Sequence, residues 1–301
     1  MDISDIAMLE AIVKHGSLSK ASEVLYVSQP TLSKRLARLE TVLATPLFHR
    51  SSSGLTPTAH TQFIIDNTQP LKTQIKNIQR HIELMNNLQA GELRLGVGPI
   101  VEQLYFPYTL LELTKDSSNK LDVSIRTGTD ETLKTLLQDG EIDIAIGPFE
   151  EDSGSDEFVV TNIANQPLII AVRYDHPFGI ASREGRSISP EEMSSYPLIA
   201  PHIPKYMNER FLQLFNETPQ RVMCDNYSVI KEVLKQSDDF TIGPGAVFSQ
   251  EVINKELTFV APPVSVQWHA ACMTLAQNAE LPFIHKVIDA FRQYPLPEVN
   301  S

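Results

Sequence analysis

Apolar residues recur at helical spacing in successive stretches near the N-terminus. Ile6, Leu9, Ile12 and Val13 give one face of a helix over 5–14, and His15-Gly16 supplies its stop. Ser17 predicts the N-cap of a second, short helix with Ala21, Val24 and Leu25 facing inward, and Tyr26-Val27 predicts a turn. Ser28 then predicts the cap of a third helix from about Gln29 to Val42, with Pro30 tolerated in its first turn. Its Leu32, Leu36 and Leu39 should pack on the first two helices, which leaves Gln29, Thr31, Ser33, Lys34, Arg35 and Arg38 on the other faces. Two short helices and a tight turn, with a polar and basic outer face on the second, are the sequence form of a helix-turn-helix.

Thr56-Pro57 reads as the N-cap and first residue of a long fourth helix. Within it Leu71, Ile75, Ile78, Ile82 and Met85 step by four and three, a heptad seam, while Lys72, Gln74, Lys76, Asn77, Gln79 and Arg80 between them are polar. Such a seam pairs with its own copy or packs on the chain's globular part. The first is expected of a narrow stripe leading out of a helix-turn-helix. Pro70 removes one amide bond and predicts a kink that sets the angle between the paired heads.

From Gly91 the period changes. Residues 92–98, 121–127, 141–147, 168–173, 197–200, 240–244, 257–261 and 270–276 read as strands. Helical patterns lie between most of them, at Tyr105 to Leu113, Glu131 to Leu137, Met207 to Leu214, Val229 to Leu234 and Phe283 to Phe291. This alternation implies an α/β region with a parallel or mixed sheet, covered by helices, long enough for two lobes. Ligands of such sheets bind beyond the carboxyl ends of the strands. The candidate edges are Gly98-Pro99-Ile100-Val101, Thr127-Gly128-Thr129, Gly147-Pro148-Phe149, Ala200-Pro201-His202-Ile203, Asp225-Asn226 and Gly243-Pro244. Gly96-Val97-Gly98 lacks the third glycine of a dinucleotide fingerprint, because Val101 stands there.

Charge changes the picture by its distribution. The 301 residues carry a formal charge of -12, which argues against a nucleic-acid partner for the chain as a whole. Residues 1–90, however, hold nine Lys or Arg against seven Asp or Glu, so the whole acidic excess lies in the remainder. The basic and amide groups on the third helix are those a DNA groove takes: Gln bonds adenine, Ser and Thr reach base edges or phosphates, and Lys or Arg neutralises phosphate or bonds guanine. For an isolated amphipathic helix, a merely solvated polar face is the alternative.

The run LSKASEVLYVSQPTLSKRLARLETVLATPLFHR resembles the winged helix-turn-helix of LysR-type transcriptional regulators. The resemblance rests on A-x-x-x-L-x-x-S-Q-P-x-L-S at Ala21 to Ser33, Leu39-Glu40, P-L-F-x-R at Pro46 to Arg50 and L-T-P at Leu55 to Pro57. It implies that Gln29, Pro30, Thr31, Ser33 and Lys34 enter the major groove of double-stranded DNA, with Arg50 and the wing on backbone or minor groove. Ser28, Arg35, Arg38, Ser52 and Ser53 complete the candidate surface. The wing segment Ser51-Ser52-Ser53-Gly54 lacks the further basic residue usual in the family, and His60 replaces a usual glycine. Wing contacts weaker than typical are therefore expected.

The resemblance continues through RTGTDETLKTLLQDGEIDIAIG, PLIIAVRYDHPF and FTIGPGAV, and implies a two-lobed, periplasmic-binding-protein-like effector domain. The expected division is a DNA-binding domain over 1–58, a dimerising linker helix over 59–90 and an effector domain over 91–301. Lobe one would be 91–162 with 267–295, and lobe two 163–266. Family effector contacts carried over by position fall on Pro99, Ile100, Val101, Thr129, His202 and Ile203. Together with the strand edges, the candidate effector set is Gly98, Pro99, Ile100, Val101, Thr127, Gly128, Thr129, Phe149, Pro201, His202, Ile203, Asn226 and Pro244. Pro99 and Ile100 replace the usual Ser or Thr, and Pro99 has no amide donor, so an effector less polar than a small acid is expected. An exposed loop histidine is the alternative for His202.

An enzyme is the rival class, but G-x-S-x-G, H-E-x-x-H and the P-loop are absent from the sequence. His202 or His269 with Cys272 is the one nucleophilic grouping to weigh, against a cysteine that reads as inert strand packing. Eight singly scattered histidines give no metal spacing, and no cofactor beyond the small-molecule effector is expected. The two cysteines, Cys224 and Cys272, fit a reducing compartment, and Asn216 and Asn226 then head glycosylation motifs without glycans. An acidic N-terminus unlike a signal peptide, and no apolar run of membrane-spanning length, predict a soluble cytoplasmic protein with no membrane partner. A solute-binding protein would lack the helix-turn-helix, and a nucleoid-architectural protein would not need the cleft domain. The expected protein is a bacterial, ligand-responsive regulator that binds an interrupted inverted repeat as a dimer or tetramer.

Overall fold

The structure is a computed structural model that describes residues 1–51, 54–85, 90–115, 120–150, 156–202, 218 and 220–293. The chain divides into two compact units, Met1–Gln79 and Arg80–Ser301.

In the first unit, α1 (Ile3–His15) starts in a capping box between Asp2 and Asp5 and ends at Gly16, whose φ of 64° closes the helix. Helix α2 (Leu18–Val24) follows. Ser17 stands at its N-cap as expected, but its hydroxyl makes no capping bond. Tyr26 turns the chain with a φ of 55°. Helix α3 (Gln29–Leu43) is capped by Ser28, whose hydroxyl accepts the Thr31 N–H at 3.3 Å. Met8, Leu9, Ile12, Ala21, Leu32, Leu36, Leu39, Leu47 and Phe48 form the core of this unit. Val24, expected inward, is exposed, because α2 ends there and the chain turns away from the core.

Strands β1 (Phe48–Ser51) and β2 (Gly54–Pro57) pair antiparallel as the wing. Gly54 has a φ of 122°, and a Cβ there would lie 2.6 Å from the Gly16 carbonyl oxygen. Only glycine lets the wing approach the end of α1 this closely, and the neighbouring Leu55 N–H donates to the same oxygen at 2.9 Å. Thr56 and Pro57 are therefore wing residues paired with His49 and Phe48, not the start of a helix. The Thr58 hydroxyl instead accepts the Thr61 N–H at 3.4 Å, and α4 runs from Ala59 to Leu84 with Pro70 inside it.

The second unit carries a mixed sheet. Strands β3 (Ala90–Val97), β4 (Lys120–Thr127) and β5 (Ile144–Gly147) are mutually parallel, with β3 in the middle. Strand β6 (Phe158–Arg173) is far longer than the 168–173 expected. Its first half pairs with β11 (Gln267–Leu275), and its second half with β9 (Thr241–Pro244) and β10 (Leu257–Val260). Pro167, which reads as a breaker, is accommodated within the strand opposite Gln267. A separate parallel pair, β7 (Leu198–Ala200) with β8 (Gln220–Met223), includes a strand the sequence pattern did not indicate.

Covering helices are α5 (Pro99–Leu104), α6 (Phe106–Leu113), α7 (Asp130–Gln138), α8 (Pro177–Arg183), α9 (Pro190–Met193), α10 (Tyr227–Gln236), α11 (Ser249–Ile253) and α12 (Pro282–Arg292). The expected helix at Met207 to Leu214 lies outside the described residues. The core is built from Leu93, Leu95, Val97, Ile144, Ile146, Ile170, Val172, Phe240, Phe283 and Phe291. Among the described residues no helix is long and apolar enough to cross a membrane.

Candidate DNA-reading surface and ligand cavity

On α3, Gln29, Pro30, Thr31, Lys34 and Arg38 are exposed and Ser33 is half-buried. They form the outer face because the leucines on the opposite side are locked into the core. Ser28 is occupied locally, its hydroxyl 2.7 Å from that of Thr31. Arg35 departs from the expectation. Its Nε donates to Asp5 at 2.6 Å and its second guanidinium nitrogen to Asp2 at 2.6 Å, so it fastens α3 to the start of α1 instead of facing outward. Arg50 is exposed on β1 opposite Leu55. Ser52 and Ser53 lie outside the described residues.

Along α4, Leu71, Ile78 and Ile82 are more than half exposed, as a seam left for a partner would be. Met85, just past the helix end, is exposed as well, and Ile75 is half-buried. At the end of the helix Arg80 and His81 grip Asp143, a carboxylate that is almost wholly buried just before β5. The Arg94 N–H of β3 donates to the same carboxylate at 2.9 Å. Burial alone would raise the Asp143 carboxyl, but the bonds from His81 and Arg80 outweigh it and hold it below the ordinary range.

The carboxyl ends of β3, β4 and β5 open onto a cavity of about 80 Å³, several times the roughly 15 Å³ that one water requires. One wall is Gly98, Pro99, Ile100 and Val101 after β3, with Gly128, Thr129 and Asp130 after β4 and Pro148 after β5. The facing wall is Pro201 and His202 after β7, Asp225 and Tyr227 at the start of α10, and Ile242 and Gly243 of β9. Leu133, Leu168 and Trp268 close the sides. Asp225 accepts the His202 N–H at 2.6 Å, which ties together the two segments of the facing wall. Thr129 is spent on its own helix, its hydroxyl accepting the Thr132 N–H at 3.3 Å. The Tyr227 ring is buried, and its hydroxyl has no hydrogen-bond partner. Burial, with Asp225's negative charge adding to it, pushes this phenol up, so it stays a protonated donor.

The expected effector residues Gly98, Pro99, Ile100, Val101, Gly128, Thr129, Pro201 and His202 thus come together around one cavity. Thr127 and Asn226 border an adjoining groove with Glu102, Gln103 and Ser228. Two expectations are corrected. Phe149 is a core residue whose ring packs with Leu133, Leu137 and Ala271, while its carbonyl sits 2.7 Å from His269 Nε2. Pro244 is buried in the ladder between β9 and β6 and does not line the cavity. Ile203 lies outside the described residues. The sequence reading missed Asp130, Leu133, Leu168, Tyr227, Ile242 and Trp268. The position of Tyr227 directly after Asn226 was a usable signal, and Trp268 is the only tryptophan of the chain. Cys272 is buried on β11, and burial pushes its thiol far up, which leaves it unreactive. Among the described residues there is no cluster of His, Cys, Asp and Glu able to hold a metal ion.

Comparison with known families matches residues 3–62 to the "Bacterial regulatory helix-turn-helix protein, lysR family" and residues 86–295 to the "LysR substrate binding domain". The chain belongs to the LysR family. It is similar to the "SDS degradation transcriptional activation protein" of Pseudomonas sp. (strain ATCC 19151), at 25% identity over 252 residues covering 83% of this chain and 81% of that one. It is likewise similar to the "DNA-binding transcriptional dual regulator OxyR" of Escherichia coli K12, at 25% identity over 61% of this chain and 59% of OxyR. In fold it resembles Vibrio fischeri DarR, solved in complex with DNA, with a TM-score of 0.64 at 14% identity over 98% of this chain and 100% of that one. The helix-turn-helix followed by a two-lobed substrate-binding domain is the architecture of these LysR-family regulators.

Proposed function

We propose that this LysR-family chain is a cytoplasmic, DNA-binding transcription regulator, and not an enzyme, which answers to a small molecule held in the cavity at the ends of β3, β4 and β5. The observation that carries the reading is the joining, in one chain, of an exposed Gln29-Thr31-Lys34 face on α3 and a mainly apolar cavity. The DNA-reading set is Gln29, Pro30, Thr31, Ser33 and Lys34 in the major groove, with Arg38 and Arg50 on phosphates. Arg35 drops out of it. Ser28 acts by capping α3.

The division into a DNA-binding domain over 1–58, a linker over 59–90 and an effector domain over 91–301 belongs to the same proposal, with lobe one at 91–162 and 267–295 and lobe two at 163–266. Two copies pair through Leu71, Ile75, Ile78, Ile82 and Met85, and two such dimers form the tetramer. A twofold pair of heads reads two half-sites on one face of the duplex, and ligand binding shifts their spacing. Genome-wide immunoprecipitation of the tagged protein, followed by footprinting of the strongest site, tests this. An interrupted dyad upstream of an operon is expected. Absence of any enriched site would overturn it.

A further inference from the structure

The polar groups around the cavity are few, and most are already engaged. Thr129 caps its helix, Asp225 accepts from the His202 amide, and the Gly98 N–H donates to the Ile146 carbonyl at 2.8 Å. Pro99, first residue of α5, has no N–H to offer. Among the described lining residues there is no Lys or Arg, whereas Asp130 and Asp225 bring a carboxylate from each wall. An anion held here would meet the charge of those two carboxylates and, among the described lining residues, no Lys or Arg. The rest of the lining is apolar, chiefly Ile100, Leu133, Leu168, Ile242 and Trp268. Among the buried side-chain polar atoms of the lining, one is left without a partner. The Tyr227 hydroxyl, on a residue only 3% exposed, has no hydrogen-bond partner and lies against Gly243, where a side chain would crowd it at 3.2 Å. A buried donor without an acceptor is costly, and an acceptor brought by a ligand removes that cost.

Resting on the reading of this cavity as the effector site, we infer that the ligand is an uncharged, largely apolar small molecule that presents a carbonyl or similar acceptor to Tyr227. Asp130 and Asp225 act as the selectivity filter that turns carboxylates away. Trp268 packs against the ligand's apolar body, and as the only tryptophan of the chain it reports occupancy of this cavity without a label.

Cyclohexanecarboxamide and cyclohexanecarboxylate, alike in shape and different by one charge, are suitable probes. The full-length chain is titrated with each while Trp268 emission is followed. The amide is expected to bind at least about tenfold more tightly than the carboxylate, as one unit of like charge removed would give. Asp225→Asn should narrow that gap by admitting the carboxylate. Tyr227→Phe should weaken the amide by about tenfold, the order expected for one lost hydrogen bond, with its unfolding curve matching or exceeding that of the parent. Carboxylate binding equal to or tighter than amide binding overturns the inference and leaves the cavity as the effector site. Unchanged amide affinity in Tyr227→Phe overturns the role given to that hydroxyl. If neither probe moves Trp268 emission at millimolar concentration, the effector-site reading falls together with the inference.

Discussion

Asp143→Ala tests the grip that the end of α4 keeps on the effector domain. The Asp143 carboxylate is 1% exposed and the Arg80 side chain 8%. It also meets His81 Nε2 at 2.7 Å and accepts the Arg94 N–H at 2.9 Å. Arg80 donates in addition to the Glu92 carbonyl at 3.1 Å, which holds the guanidinium in place after the carboxylate is gone. Truncation therefore strips the buried guanidinium of its nearest counter-charge, a change that typically costs about 3–5 kcal/mol. In a unit of this size each kcal/mol lowers Tm by about 2–4 °C, so a drop of about 6–20 °C is expected in thermal unfolding followed by circular dichroism at neutral pH. The paired variant Arg80→Met/Asp143→Asn should recover much of the loss, since both charges are gone and the Asn oxygen still accepts from Arg94. The folded-state carboxyl lies below its ordinary value, so its stabilisation is complete above an unfolded pKa of about 4 and is lost as pH falls through the lower folded value. The parent should weaken in that acid window more than Asp143→Asn does. A single-variant loss under about 1 kcal/mol, or a paired variant no better than the single one, would refute the reasoning.

Gln29→Ala should cost about 1–3 kcal/mol of discrimination and relax preference at one base position in a binding-site selection, and a uniform loss at every sequence would rule out base reading. Lys34→Ala should lower the slope of log affinity against log salt by about 1 if its ammonium meets a phosphate, so an unchanged slope rejects that contact. Gly54→Ala forces a Cβ to within 2.6 Å of the Gly16 oxygen at a φ of 122°. It should destabilise the N-terminal unit by about 1–3 kcal/mol in urea unfolding, and parent-like stability would contradict the close approach. Ile78→Glu with Ile82→Glu places charges on residues 54% and 59% exposed, so the single chain should fold unchanged while its sedimentation mass falls. An unaltered mass would show that α4 does not pair the copies.

The sequence by itself determined α1 and α3 of the N-terminal unit, because their signals are local. A cap at Ser28, a stop at Gly16 and leucines spaced by four and three act within a turn or two of helix, and the structure places α1 and α3 within a residue or two of those limits. The strand ends that carry the ligand cavity were legible too, since a strand followed by glycine or proline and then a helix marks its own edge. Tertiary structure decided what required distant partners. Arg35 reads as a groove contact until Asp2 and Asp5, some thirty positions earlier, arrive beside it. Thr56-Pro57 reads as a helix start until β1 pairs with it. Phe149 and Pro244 turned inward, whereas Leu168, Ile242 and Trp268 turned toward the cavity, and no local pattern separates these cases. Alternation along a strand says only that neighbours point to opposite faces; which face meets the cavity is set by the register of β6 with β9 and β11, a long-range choice made by packing.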